Sequence, residues 1–204
     1  MKNKTILIIG NGPSILKNKL GDEIDKFQTV ARINNYKINN YEKFVGAKTS
    51  IWFNGGNQNL RVPTILPKKI IVFVPFEIIN NNLEKIKART SHRIGLNPNE
   101  YELTSQEKMK DYELISKIKR PTTGLNSILW AIENYDKIII HGFDFFQKSK
   151  EHYYDNYFFK KIINMKILKK GEKHDNIGEK LFVENLIAEE KVFQLKDCIN
   201  NNTI

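Results

Sequence analysis

A single cysteine, Cys198, stands in a chain of 204 residues, so no disulfide framework can brace it, and a reducing compartment suits it. No stretch approaches the ~20 consecutive apolar residues that a membrane span needs. The start, Met1 to Ile9, ends in a short apolar run, but Gly10-Asn11-Gly12-Pro13 follows where a signal peptide would place a small-residue cleavage site. No zinc-finger, RRM-like or basic-zipper pattern occurs, and no internal repeat. No two histidines have metal-ligand spacing, and no Asp-x-Asp element exists to hold a metal-bound nucleotide sugar. The expectation is a soluble, cytosolic protein that needs neither metal nor cofactor.

At 40% hydrophobic and 27% charged the chain can build a core, and its length is that of one domain, 1–204. The net charge of +10 attracts polyanions, but a Lys-, Asn- and Ile-heavy composition accounts for it equally well. Charge alone decides nothing about nucleic acid. Thr5–Ile9, Thr29–Ile33, Thr49–Phe53, Lys69–Val74, Lys137–Ile140 and Val192–Leu195 read as strands, most of them apolar throughout. Helical spacing falls between them: from Ser14 to about Leu20 with Gly21 as its stop, then Asn80–Arg89, Ser105–Ile118, Leu125–Asn134 and Asp175–Glu190. Apolar strands alternating with helices predict an α/β fold: a Rossmann-like, mostly parallel sheet with helices on both faces. The segment 147–173, rich in Lys, Tyr and Phe, reads as a mobile basic lid loop.

Ligands in such sheets sit outside the C-terminal strand ends, so the chemistry is sought in the turns there. Gly10-Asn11-Gly12 is a partial dinucleotide fingerprint. Ile15 takes the third glycine position, and Arg32-Ile33-Asn34 stands where an NAD or S-adenosylmethionine site would carry an acid. No Gly-Lys-Ser/Thr follows, which excludes a Walker loop. The turn can still offer backbone N–H groups to an anion, or be purely structural. Pro121-Thr122-Thr123-Gly124 opens a helix where N–H groups and two hydroxyls could meet a phosphate, ribose or base, or serve as an ordinary cap. Gly142-Phe143-Asp144 closes a strand. Of the histidines, His92 reads as surface and His141 as a satisfied core residue. His152 shares a loop with Lys148 and Lys150, a setting for phosphate. His174 precedes the late helix, where Glu179 can orient it and neutral-pH titration suits a general base.

In combination these segments resemble the sialylmotifs of the eukaryote-type sialyltransferases, glycosyltransferase family 29. The large motif is similar to Ile8–Gly12, Gly21–Asp25, Val30–Asn34 and Val45–Thr49; the small motif to Pro121–Ala131, ending in Ile140–Phe143. The third resembles His152-Tyr153-Tyr154, and the very small one His174 with Glu179. Gly10–Ser14 and Gly142–Phe146 also look like the bacterial family 42 enzymes. The resemblance implies a GT-A-like variant of the fold and a CMP-activated sialic acid, or related 2-keto sugar acid, as donor. It further implies that Asn11, with Gly12 beside it, and Asn34 hold the CMP phosphate and ribose. Thr122, Thr123 and Gly124 would meet ribose and cytosine, with Gly142 and Phe143 closing the pocket. His152, helped by Tyr153 or Tyr154, would receive the leaving phosphate, and His174 would take the acceptor proton. Arg32 and Asp144 stand as supporting residues. The eukaryotic disulfide and membrane anchor are lacking, which implies a cytosolic bacterial version held near an anionic membrane by its basic face. Its acceptor would be a glycan, lipid-linked or of the lipopolysaccharide or capsule kind. Two other classes stay open: a non-catalytic nucleotide- or nucleic-acid-binding protein, and a transferase or oxidoreductase using another nucleotide.

Overall fold

The structure is a computed structural model, and it describes residues 4–80, 82–145, 152–154 and 175–201. Seven strands form one parallel sheet in the order β5-β4-β3-β2-β1-β6-β7. They are β1 Thr5–Ile9, β2 Thr29–Ile33, β3 Ile51–Asn54, β4 Lys69–Val72, β5 Glu102–Leu103, β6 Lys137–His141 and β7 Phe193–Gln194. The helices are α1 Gly21–Lys26, α2 Glu42–Val45, α3 Phe76–Ile79, α4 Leu83–Ile94, α5 Gln106–Ser116, α6 Thr123–Asn134, α7 Asn176–Ala188 and α8 Leu195–Asn200.

The period of two along each strand splits the core between the faces of the sheet. In β1, Ile6 and Ile8 join the cluster that holds Ile128, Trp130 and Val183, whereas Leu7 and Ile9 join Ile24, Val45 and Leu195 on the other face. Ile138 and Ile140 of β6 belong to the first cluster and Ile139 to the second. Both faces are covered by helices, so most positions of the central strands are apolar. No helix among the described residues is long and apolar enough to cross a membrane.

Two features of the fold position the site. β1 pairs with β2 on one side and with β6 on the other, so the strand order reverses between β1 and β6. At such a switch point the connections diverge and leave a crevice beyond the strand ends. The Gly10–Gly12 turn and the Gly142–Asp144 turn meet there. In the first of these the structure differs from the sequence expectation. A 3-10 turn, Pro13–Lys17, follows Gly12 with no side-chain cap, and Ser14 lies inside it. Gly21 starts α1 instead of ending a helix. A Cβ at Gly21 would stand 2.1 Å from the Glu42 carbonyl oxygen, so this glycine is there for close packing of α1 on α2. The proposed lid loop, apart from 152–154, lies outside the described residues.

Candidate active site

Across the switch point lies a cleft of about 610 Å³, solvent included, whose walls come from six separate pieces of chain. The β1 turn contributes Gly10, Asn11 and Gly12, the end of β2 Ile33 and Asn34, and the start of α6 Thr122 to Leu125. The β6 turn contributes Gly142 to Phe145, and His152 and Glu179 complete the wall. Of the residues singled out in the sequence, Asn11, Gly12, Asn34, Thr122, Thr123, Gly124, Gly142, Phe143, Asp144, His152 and Glu179 are thus brought together. Arg32, Tyr153 and Tyr154 are not on the wall, and His174 lies outside the described residues. Gly10, Ile33, Leu125 and Phe145, which fall inside the motifs but were given no role of their own, also line the cleft.

The two asparagines are held in different ways. The Asn11 amide nitrogen donates to the Ile33 carbonyl at 2.8 Å and the Asn35 carbonyl at 3.0 Å, which fixes its orientation. Its Oδ1 is buried without a partner, an acceptor that fits a hydroxyl or amine and repels a phosphate oxygen. Asn34 sits at φ 48°, in the left-handed region that asparagine tolerates. Its Oδ1 accepts from Gly55 N at 3.0 Å, which leaves its NH₂ as a donor suited to an anion. Both residues were expected on phosphate and ribose; their hydrogen bonding divides the tasks.

Three N–H groups of the β1 turn and the 3-10 turn after it are engaged within the protein. Gly10 N donates to His141 O at 2.7 Å and Gly12 N to Gly142 O at 2.8 Å. Ser14 N donates to an Asp144 carboxylate oxygen at 2.8 Å, so a side-chain carboxylate already occupies the start of the 3-10 turn. The glycines serve the contact between the two turns: a Cβ on Gly10 would stand 2.4 Å from Gly142 O, and one on Gly12 2.5 Å from Asp144 Cγ. The open donors belong to α6. Thr122 caps this helix through Leu125 N. Its own N–H and hydroxyl each donate at 2.6 Å to one oxygen of Glu179, a carboxylate only 2% exposed. Thr122 therefore fastens α7 to the start of α6, with its hydroxyl proton engaged by Glu179. Thr123 keeps its hydroxyl, and the Thr123 and Gly124 N–H groups are the unsatisfied donors of the first turn.

The other displaced residues clamp loops. Tyr153 is 5% exposed; its hydroxyl accepts from Lys37 N at 2.9 Å and donates to Lys37 O, and burial pushes its pKa up to about 12. Tyr154 donates to Asn35 O and stacks on His152 with ring centroids 5.3 Å apart. Tyr153 N also donates to Asn11 O, so this short segment ties the β1 and β2 turns together. Arg32, 1% exposed, donates to the carbonyls of Val45, Gly46 and Lys48 and to the Thr49 hydroxyl, bracing α2 from the far face. His141 is not satisfied as expected: its Nε2 is buried without a partner, and burial lowers its pKa to about 4.

Among the described residues of the wall there is no Lys or Arg. An anion there would rest on neutral donors and on His152. No group of three His, Cys, Asp or Glu side chains suited to a metal occurs among the described residues.

The sequence profile of glycosyltransferase family 29 (sialyltransferase) matches residues 2–57 and 63–191. The chain is similar to the type 2 lactosamine alpha-2,3-sialyltransferase of Rattus norvegicus, 26% identical over 224 residues, covering 94% of this chain and 64% of the relative. It is similar to the crystal structure of a mammalian sialyltransferase in complex with Gal-beta-1-3GalNAc-ortho-nitrophenol. There the TM-score is 0.72 and the identity 20%, over 96% of this chain and 70% of that one. It also matches sialyltransferase CstII from Campylobacter jejuni in complex with a substrate analogue, CMP-3FNeuAc. That TM-score is 0.58 and the identity 18%, over 94% of this chain and 81% of that one. Identities this low establish the fold alone, and the chain spans 64% of the length of the curated relative it matches.

Proposed function

The chain belongs to glycosyltransferase family 29, and from that membership we propose that it transfers a sialic acid from a CMP-activated donor to a glycan hydroxyl. The supporting observation is the meeting, in one switch-point cleft, of the Asn34 amide donor, the open start of α6 and His152. The nucleotide phosphate is assigned to Asn34, the Thr123 and Gly124 N–H groups and His152; Asn11 Oδ1 accepts from a ribose hydroxyl. Phe143 and Phe145, 6.2 Å apart, offer apolar surface to the rest of the ligand.

The reaction is proposed as one inverting displacement. His174, next in sequence to the α7 cap Asp175, removes the proton of the acceptor hydroxyl as its oxygen attacks the anomeric carbon. The bond from that carbon to the phosphate oxygen breaks, and CMP leaves with the electron pair. His152 and the donors of α6 hold the charge that grows on the phosphate. No metal is assigned, because the sequence offers no acidic cluster to bridge one to the nucleotide. The single cysteine suits a reducing compartment, so the reaction is placed in the cytoplasm.

Incubation with CMP-sialic acid and a panel of β-galactoside acceptors tests the reading: CMP and sialylated glycan should appear in equal amounts. Sugar transfer from another nucleotide donor, with CMP-sialic acid left intact, would overturn it.

A further inference from the structure

The positive charge of this chain is not spent on the described wall of the cleft. From Lys43 to Phe76 the sequence carries five Lys or Arg and no Asp or Glu. Within that run, the connection from β3 to β4 holds an exposed aliphatic tip. Ile65 is 86% exposed, Leu66 41% and Val62 40%. Pro63 and Pro67 bracket the tip and restrict its backbone. Its base is pinned: Arg61 N donates to Asn35 Oδ1 at 2.6 Å, and Asn35 Nδ2 donates to Asn59 O at 3.0 Å. Leu60 packs against the core. The tip is thus held out by a fixed base, immediately beside Asn34 of the cleft.

We propose that Val62, Ile65 and Leu66 insert into an anionic lipid surface while Lys37, Arg61 and Lys68 meet its headgroups. Aliphatic side chains rimmed by bases match an acyl interior beneath negative headgroups. The groove that the tip walls off includes Lys37 and Arg61 and no carboxylate. A second copy of this chain is a poor occupant, because the same face would oppose its own like charges. Docking here would hold the cleft at the membrane surface, where a lipid-linked acceptor would be presented. The inference stands on this face alone and does not require the transfer reaction to be as proposed.

Co-sedimentation of the full chain with phosphatidylcholine vesicles, with and without phosphatidylglycerol, tests it. Wild type should pellet with the anionic vesicles, and less as salt rises. Ile65→Ser combined with Leu66→Ser should reduce partitioning by at least about tenfold, since each aliphatic side chain loses its insertion. Arg61→Gln with Lys68→Gln should reduce it by about fivefold for each base removed. Both pairs are exposed, so melting temperature and CMP binding should match wild type. The proposal fails if wild type does not pellet with anionic vesicles, pellets equally with phosphatidylcholine alone, or keeps full binding in the serine pair. CMP binding reports separately on the cleft.

Discussion

Asn34 combines a constrained backbone with a directed side chain. At φ 48° it lines the cleft while its Oδ1 holds Gly55 N, and under the proposed function its NH₂ is assigned to the phosphate. Asn34→Gly keeps the backbone relaxed and removes only the amide. A hydrogen bond to a charged group contributes about 1.5–3 kcal/mol, so CMP should bind about ten- to a hundredfold more weakly, as calorimetry would read. Glu179 is a residue of stability. Glu179→Ala strands the Thr122 N–H and hydroxyl, a cost of about 3 kcal/mol, which for a domain of this size lowers Tm by roughly 6–12 °C. An unchanged Tm would remove it from that role. His141 adds a pH dependence. Its pKa is about 4 folded, from burial, and about 6.5 in an unfolded chain. Between those values the unfolded chain binds the extra proton, so stability is full above pH ~6.5 and falls toward pH ~4, by about 3 kcal/mol in all. His141→Leu should flatten that stretch of the stability profile in denaturant titrations.

At the scale of elements, the site depends on how closely the β1 and β6 turns approach. Gly10→Ala drives a methyl group to 2.4 Å from a backbone oxygen, which cannot move away as a side chain would. The expected cost is about 1–3 kcal/mol, with weaker CMP binding because the turn carries Asn11. A Gly10→Ala chain with wild-type Tm and CMP affinity would contradict the packing account. The long apolar strands were legible in the sequence because a parallel sheet covered on both faces needs apolar residues at every position. β5, two residues at one edge, has no room for a pattern, whereas β7, equally short, falls inside the strand expected at Val192–Leu195. The residue types at the cleft were legible too, since the turns fall at strand ends. Which groups hold one another was not: Glu179 reaches Thr122 across 57 positions, and Tyr153 reaches Lys37 across 116. Those pairings arise when the strands are put in order. They give Thr122, Tyr153 and Tyr154 partners within the protein that the sequence did not show.

For the whole molecule, the proposed nucleotide crevice has a described wall without Lys or Arg, whereas Lys37 and Arg61 line a separate groove. Under the proposed function, such a crevice would recognise a CMP-linked sugar through neutral donors and His152, without a bridging metal. Transfer should therefore persist in EDTA, and loss of activity that Mn²⁺ or Mg²⁺ restores would contradict the metal-free mechanism. The most direct measurement pairs CMP calorimetry with single-turnover transfer for wild type, His152→Ala and His174→Ala. Wild type should bind CMP and transfer sugar. His152→Ala should bind CMP more weakly and transfer more slowly, since it loses a group on the phosphate. His174→Ala should bind CMP nearly as wild type and lose about 10²- to 10⁴-fold in rate, as removal of a general base does. Folded wild-type protein that binds no CMP, or folded His174→Ala that transfers at the wild-type rate, would contradict the account.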